Sequence, residues 1–178
     1  GNVAFLATGY DGMTIVSIED PSAPIILSTY DTTGWVGRLR LVGQTAFLAA
    51  GTADLQIVDV SDPDTPRLIH NFRTTGSVWD VEIVGERAYL GTNSGAVVVD
   101  ISDLNAPAEL GRSSSKYVTD IRVSGDHVFA TGSGNVVVFD ASDPSQLKQI
   151  GYHQWSSVNR LELVDQSLYL TGYYGIQV

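Results

Sequence analysis

Short apolar runs of five or six residues, each closed by a cluster of turn residues, repeat along the whole chain. In Leu55–Pro66 (LQIVDVSDPDTP) apolar residues stand side by side instead of alternating with polar ones. The run then stops at a proline-marked Ser-Asp-Pro cluster. That pattern predicts a strand covered on both faces and ended by a sharp turn. The unit recurs at 97–107 (VVVDISDLNAP) and 136–144 (VVVFDASDP), with a degraded copy at 14–24 (TIVSIEDPSAP). Two independent markers keep one period. A turn residue precedes an apolar–aromatic run at Gly1, Gly43, Gly85, Gly125 and Asp165, and the Asp of the turn falls at Asp20, Asp62, Asp103 and Asp143, always 40 to 42 residues apart.

Each full repeat holds four runs of strand character. In the second they are Gly37–Val42, Thr45–Ala50, Leu55–Val60 and Arg67–Arg73; in the third, Trp79–Val84, Arg87–Gly91, Ala96–Ile101 and Ala108–Arg112; in the fourth, Thr119–Ser124, His127–Thr131, Val136–Ala141 and Leu147–Tyr152. No stretch sustains a 3.6-residue apolar period, so no helix is expected. Four antiparallel strands per ~40 residues, repeated, is the signature of an all-β fold, a β-propeller of four-stranded blades. Doubly apolar strands fit blades sandwiched between other blades. The reading is a single propeller domain over 1–178, with repeats near 1–42, 43–84, 85–124 and 125–164 and an incomplete one at 165–178. Three strands at each end flank three full repeats, a surplus for a four-bladed ring, so the expectation is a slice of a longer propeller.

Composition adds exclusions. The 178 residues are 43% hydrophobic, and 20 acidic against 10 basic residues give a net charge of −10. Nucleic acid needs a basic stripe, so it is excluded as the main partner, as is an anionic membrane surface. No apolar run approaches the ~20 residues of a membrane-spanning helix. Cysteine is absent, which removes disulfides, thiolate nucleophiles and thiolate metal sites. His70, His127 and His153 do not share a metal-ligand spacing, and no Gly-x-Ser-x-Gly elbow occurs.

The Asp ending each third strand (Asp59, Asp100, Asp140) and the Ser-Asp-Pro after it read best as turn formers. Such side chains accept hydrogen bonds from N–H groups two or three residues on, and Pro stops the strand. A Ca2+ loop at Asp59-x-x-Asp62-x-Asp64 is the rival, but the third repeat places Leu104 and Asn105 where acids would be needed. On these residues (LQIVDVSDPDTP, VVVDISDLNAP, VVVFDASDP) the chain resembles the LVIVD repeat family of bacterial and archaeal proteins. The resemblance covers the whole chain. It implies a β-propeller displayed outside the cell, secreted or at the surface, with a binding or scaffolding role and no shared catalytic motif. The first repeat departs from the pattern, with Ser17 in the Asp position, so a reshaped turn is expected there.

Two constellations invite chemistry. In the first strands of the repeats one position holds Arg40, Glu82, Arg122 and Glu162, and the position two earlier holds Arg38, Asp80, Asp120 and Arg160. Residues two apart share a side of a strand, so the alternation suggests an ion-pair ring around a central channel. Asp80 and Asp120, expected neighbours of like charge, call for a shared proton or a cation, with Ca2+ the one candidate cofactor. The second constellation is aromatic. Trp35, Trp79, Tyr117 and Trp155 lie in or at the end of loops before first strands, and Tyr10, Tyr173 and Tyr174 in loops between second and third strands. Rigid aromatics beside polar residues suit a glycan or protein partner; the alternative is that they plug gaps between blades. The leading reading is a non-enzymatic binding or scaffold propeller. An enzyme or metal-binding propeller using the channel carboxylates is a second reading, and a structural assembly subunit a third.

Overall fold

A computed structural model describes residues 2–113, 117–154, 158–165, 167–172 and 175–177. The fold is all-β, as the repeat pattern requires: 18 strands and no helix among the described residues. It is a β-propeller, built of antiparallel sheets in which sequence neighbours pair. The chain divides into two compact units, one of residues 1–78 with 104–106, the other of the remainder.

The first unit holds two sheets. Strands β1 (Val3–Ala7), β2 (Met13–Ser17) and β3 (Ile25–Tyr30) form one; β4 (Arg38–Val42), β5 (Thr45–Ala49), β6 (Leu55–Asp59) and β7 (Arg67–Phe72) form the other. Met13 and Ile15 pack on Ala46, Leu48, Val58 and Val60 to make its core. The second unit holds three sheets. The first contains β8 (Val78–Val84), β9 (Arg87–Thr92), β10 (Gly95–Asp100) and β11 (Ala108–Arg112). The next contains β12 (Asp120–Ser124), β13 (His127–Gly132), β14 (Asn135–Asp140) and β15 (Lys148–Gln154), and the last β16 (Val158–Val164), β17 (Ser167–Gly172) and β18 (Gly175–Gln177). Tyr89, Ala96 and Val98 of β9 and β10 meet Ile121, Val128, Ala130 and Phe139 of the following sheet. The Val97-Val98-Val99 run is buried on both faces, as its unbroken apolar character demands.

A β-bulge falls at the same place in four repeats, between Ile15 and Val16, Ile57 and Val58, Val98 and Val99, and Val138 and Phe139. An extra residue there increases the local twist and carries the outer strand away from its partner. The turn that follows is closed as the residue types dictate. Asp59, Asp100 and Asp140 each accept the backbone N–H two residues on, from Ser61, Ser102 and Ser142, at 2.9 Å. The Ser142 hydroxyl and then its N–H hold Asp140 below the usual carboxylate range, and the N–H and then the hydroxyl of Ser61 and Ser102 do the same for Asp59 and Asp100. In the first repeat Ser17 takes the Asp role with a longer contact, its hydroxyl accepting the Glu19 N–H at 3.4 Å.

The turn also clasps the preceding sheet. The Pro63 carbonyl accepts the Ser28 hydroxyl of β3 at 2.5 Å. In the second unit the equivalent turn leans on Gly111 of β11, where an added Cβ would lie 2.4 Å from the Pro144 carbonyl oxygen. The family turn is thus both a strand stop and a joint between successive sheets.

Candidate functional site

The first strand of each sheet positions the charged row. Strands β8 and β12 present Asp80 and Asp120 without exposed surface, and each carboxylate reaches the backbone of the following sheet. Asp80 Oδ2 accepts the Ile121 N–H at 3.0 Å, and Asp120 Oδ2 accepts the Leu161 N–H at 3.1 Å. Asp80 Oδ1 accepts the N–H of its own neighbour, Val81, at 2.9 Å. Arg122 joins the two acids: its Nη1 donates to Asp80 Oδ2 at 3.1 Å and to Asp120 Oδ1 at 2.8 Å, while Nη2 pairs with Glu162 at 3.2 Å. Structurally the guanidinium stands where a cation between two carboxylates would stand.

The electrostatics follow from this crowding. Burial pushes the Asp80 carboxyl up, and the adjacent Asp120 carboxyl, hydrogen-bonded to it, pushes further, to about 7. Burial works against the charge of Arg122, but Asp120, Asp80 and Glu82 outweigh it and hold the guanidinium above its ordinary range. Arg38 and Arg40 occupy β4 in the first unit, half-buried, and Arg160 lies exposed on β16. Among the described residues no group of three or more His, Asp or Glu is arranged to hold a metal ion.

The aromatic loops are placed by a repeated stitch. At or just before each of β4, β8 and β12 the backbone bonds back to the preceding sheet: Val36 with Gly9 (2.9 and 3.1 Å), Val78 with Gly51 (3.0 and 2.9 Å), and Val118 N–H to the Thr92 carbonyl (2.7 Å). Trp35 and Tyr117 each immediately precede this stitch, so they occupy equivalent places, 44% and 43% exposed. Trp79 follows its stitch instead. It is half-buried, and its indole nitrogen is enclosed without a hydrogen-bond partner. Tyr10, at the tip of the loop stitched to Val36, is 81% exposed. The Trp35 ring fits between two glycines: an added Cβ would stand 2.9 Å from its Nε1 at Gly9 and 2.1 Å from its Cζ3 at Gly37. Trp155, Tyr173 and Tyr174 lie outside the described residues.

Reading the sequence found Asp80, Asp120, Arg122 and Glu162, but not the bonds from the two aspartates to the next sheet's backbone, nor the two glycines that clamp Trp35. The signal for the first was the Asp repeated in two consecutive first strands and replaced by Arg in the flanking ones. For the second, Gly37 lies two residues from Trp35 in its own loop, but Gly9 comes from the β1–β2 loop, a contact no local pattern signals.

Four successive segments, 1–32, 33–74, 75–114 and 115–152, match the family model described as the LVIVD repeat. The chain belongs to the LVIVD repeat family. The matches at 33–74, 75–114 and 115–152 each take in a first strand and an Asp-x-Ser turn, so the turn described above lies inside the matched LVIVD repeats. Among solved structures, the chain is similar to the computationally designed Ika8 protein, with a TM-score of 0.77 at 16% identity, covering 99% of this chain and 54% of that one. It is also similar to the designed Ika4 protein, with a TM-score of 0.67 at 16% identity, covering 84% and 93%. The chain thus spans about half the length of Ika8. At this identity the likeness is one of fold. No curated protein matches the sequence. The LVIVD propeller architecture suits a binding or scaffolding role in general.

Proposed function

We propose that this LVIVD propeller is a non-enzymatic binding module, displayed outside the cell, that engages a glycan or protein surface through its loop-end aromatics. The observation that carries this reading is the pair Tyr10 and Trp35, two large rings left exposed on neighbouring stitched loops of one unit. Trp35 is locked by Gly9 and Gly37, so binding through it costs little conformational entropy. Asp11, exposed beside Tyr10, supplies acceptors for hydroxyl or amide donors. The Asp80 and Asp120 carboxylates, which an enzyme would use, are spent on backbone N–H groups and on Arg122. They have no exposed surface from which to reach a substrate.

The test compares wild type with a Tyr10→Ala/Trp35→Ala double variant on an oligosaccharide array and an array of surface-protein fragments. Wild type is expected to bind a defined set of spots and the double variant to lose them by about ten-fold or more, with an unchanged circular dichroism spectrum. Equal binding by the two proteins removes the aromatic pair from the site.

A further inference from the structure

At the other end of the second unit's blades, where the family turns lie, a groove of about 550 Å3 opens between two successive sheets. That volume is within the range of known ligand pockets, about 300–1,000 Å3. Tyr89, Leu110 and the exposed Val84 supply apolar surface, and Pro144 of the clasping turn closes one wall. Charge is concentrated at the rim. Arg87 stands in register with Asp100 across β9 and β10, so those two offset each other. Glu86 and Asp126 remain, each one residue past the glycine of a tight turn (Gly85 and Gly125).

The backbone at both acids is pinned. The Glu86 carbonyl accepts the Ile101 N–H at 2.9 Å, and the Asp126 carbonyl accepts the Ala141 N–H at 2.7 Å. The space above Gly85 and Gly125 is open, with no atom within 4 Å of an added Cβ. The equivalent positions of the first two repeats are Asn2 and Gln44, both uncharged. The acidic pair is therefore particular to this groove and is not part of the repeat.

A groove with an apolar strip along one wall and two carboxylates at its rim complements one kind of side chain, a long alkyl stem with a cationic head. We propose that this groove receives a lysine or arginine side chain from an extended segment of a partner protein. The stem lies on Val84, Tyr89 and Leu110, and the head is held by Glu86 and Asp126. Neither a buried metal nor a glycan fits that combination as well. A divalent ion gains nothing from the apolar surface, and a neutral sugar gains little from an unbalanced double negative charge.

The experiment is a titration of 15N-labelled protein with a synthetic Gly-Ser-Leu-Lys-Leu-Ser-Gly peptide, followed by amide shifts. Shifts are expected at 84–87, 110 and 125–126, with affinity falling about five-fold or more in Glu86→Gln/Asp126→Asn and unchanged in Asp64→Asn/Glu19→Gln, two exposed acids of the first unit. Four outcomes overturn the proposal: no shifts at these amides up to millimolar peptide; equal binding of the peptide with Glu in place of Lys; the same loss in the Asp64/Glu19 control, which would mean general attraction to an acidic protein; and spermidine matching the peptide in both shifts and affinity, which would make the occupant a small polyamine.

Discussion

Arg122 bridges two carboxylates that have no exposed surface, and their dependence on it can be measured. Removing one partner of a buried ion pair leaves uncompensated charge, at a cost of about 3–5 kcal/mol. Arg122→Met is expected to lose stability of that order in urea denaturation, and adding Asp80→Asn to it should return part of the loss. Full additivity of the two changes would show that the groups do not act as a unit. Asp80 also sets a pH dependence. Its folded pKa of about 7 lies above the unfolded value near 3.8, so between those values the folded state binds the extra proton. Stability from this group is complete below pH 3.8 and is lost as pH rises through 7. The gap in melting temperature between wild type and Asp80→Asn should therefore narrow, or change sign, from pH 5 to pH 8; a gap that widens would contradict the assignment. In the sequence the two rows of charge were visible, but not their linkage. Arg122 lies two residues beyond Asp120 and reaches back past it to Asp80, a path set by the spacing between sheets, which no single strand encodes.

At the scale of the strand and its turn, the LVIVD signature does two jobs, and only one could be read from residue types. Asp followed two residues later by Ser predicts a closed turn wherever it occurs, and Asp59, Asp100 and Asp140 close as expected. Because those bonds hold the carboxyls below 3.8, their contribution is present above that pH and fades as acid titrates them. The clasp onto the preceding sheet was not legible, since its acceptor is a backbone carbonyl and one of its partners is a glycine. Gly111→Ala should be the sharpest probe. Its methyl would meet the Pro144 carbonyl oxygen at 2.4 Å, a backbone atom that cannot rotate aside, and overpacking of this kind costs about 1–3 kcal/mol. Ser28→Ala in the first unit removes the matching hydrogen bond and should cost about 1 kcal/mol. Chemical denaturation of both variants checks the pair. A Gly111→Ala protein as stable as wild type would mean that the turn moves freely and the clasp is incidental.

Over the whole molecule the repeat period carried the fold, because each ~40-residue unit must bury its doubly apolar strands against a neighbour, and that need is written in unbroken runs such as Val97–Val99. Function was less legible for the same reason: what repeats is architecture, and what could bind is what breaks the repeat, as Tyr10, Glu86 and Asp126 do. The net charge of −10 acts at this scale too. Its self-repulsion is long-range and lies mostly on exposed carboxylates, so salt should screen it, with a Debye length of about 10 Å at 0.1 M and about 3 Å at 1 M. The Arg122 contacts to Asp80 and Asp120 are nearly or wholly removed from solvent and should be screened far less. Raising NaCl from 0.02 to 0.5 M at pH 7.5 is therefore expected to raise the melting temperature of wild type and of Arg122→Met by similar amounts. A shift of about 2–4 °C would correspond to roughly 1 kcal/mol in a chain of this size. The difference between the two proteins should stay nearly constant. If wild type instead melts lower as salt rises, attractive surface pairs outweigh the acidic excess. If the difference collapses with salt, the Arg122 cluster is open to solvent and its buried character is refuted.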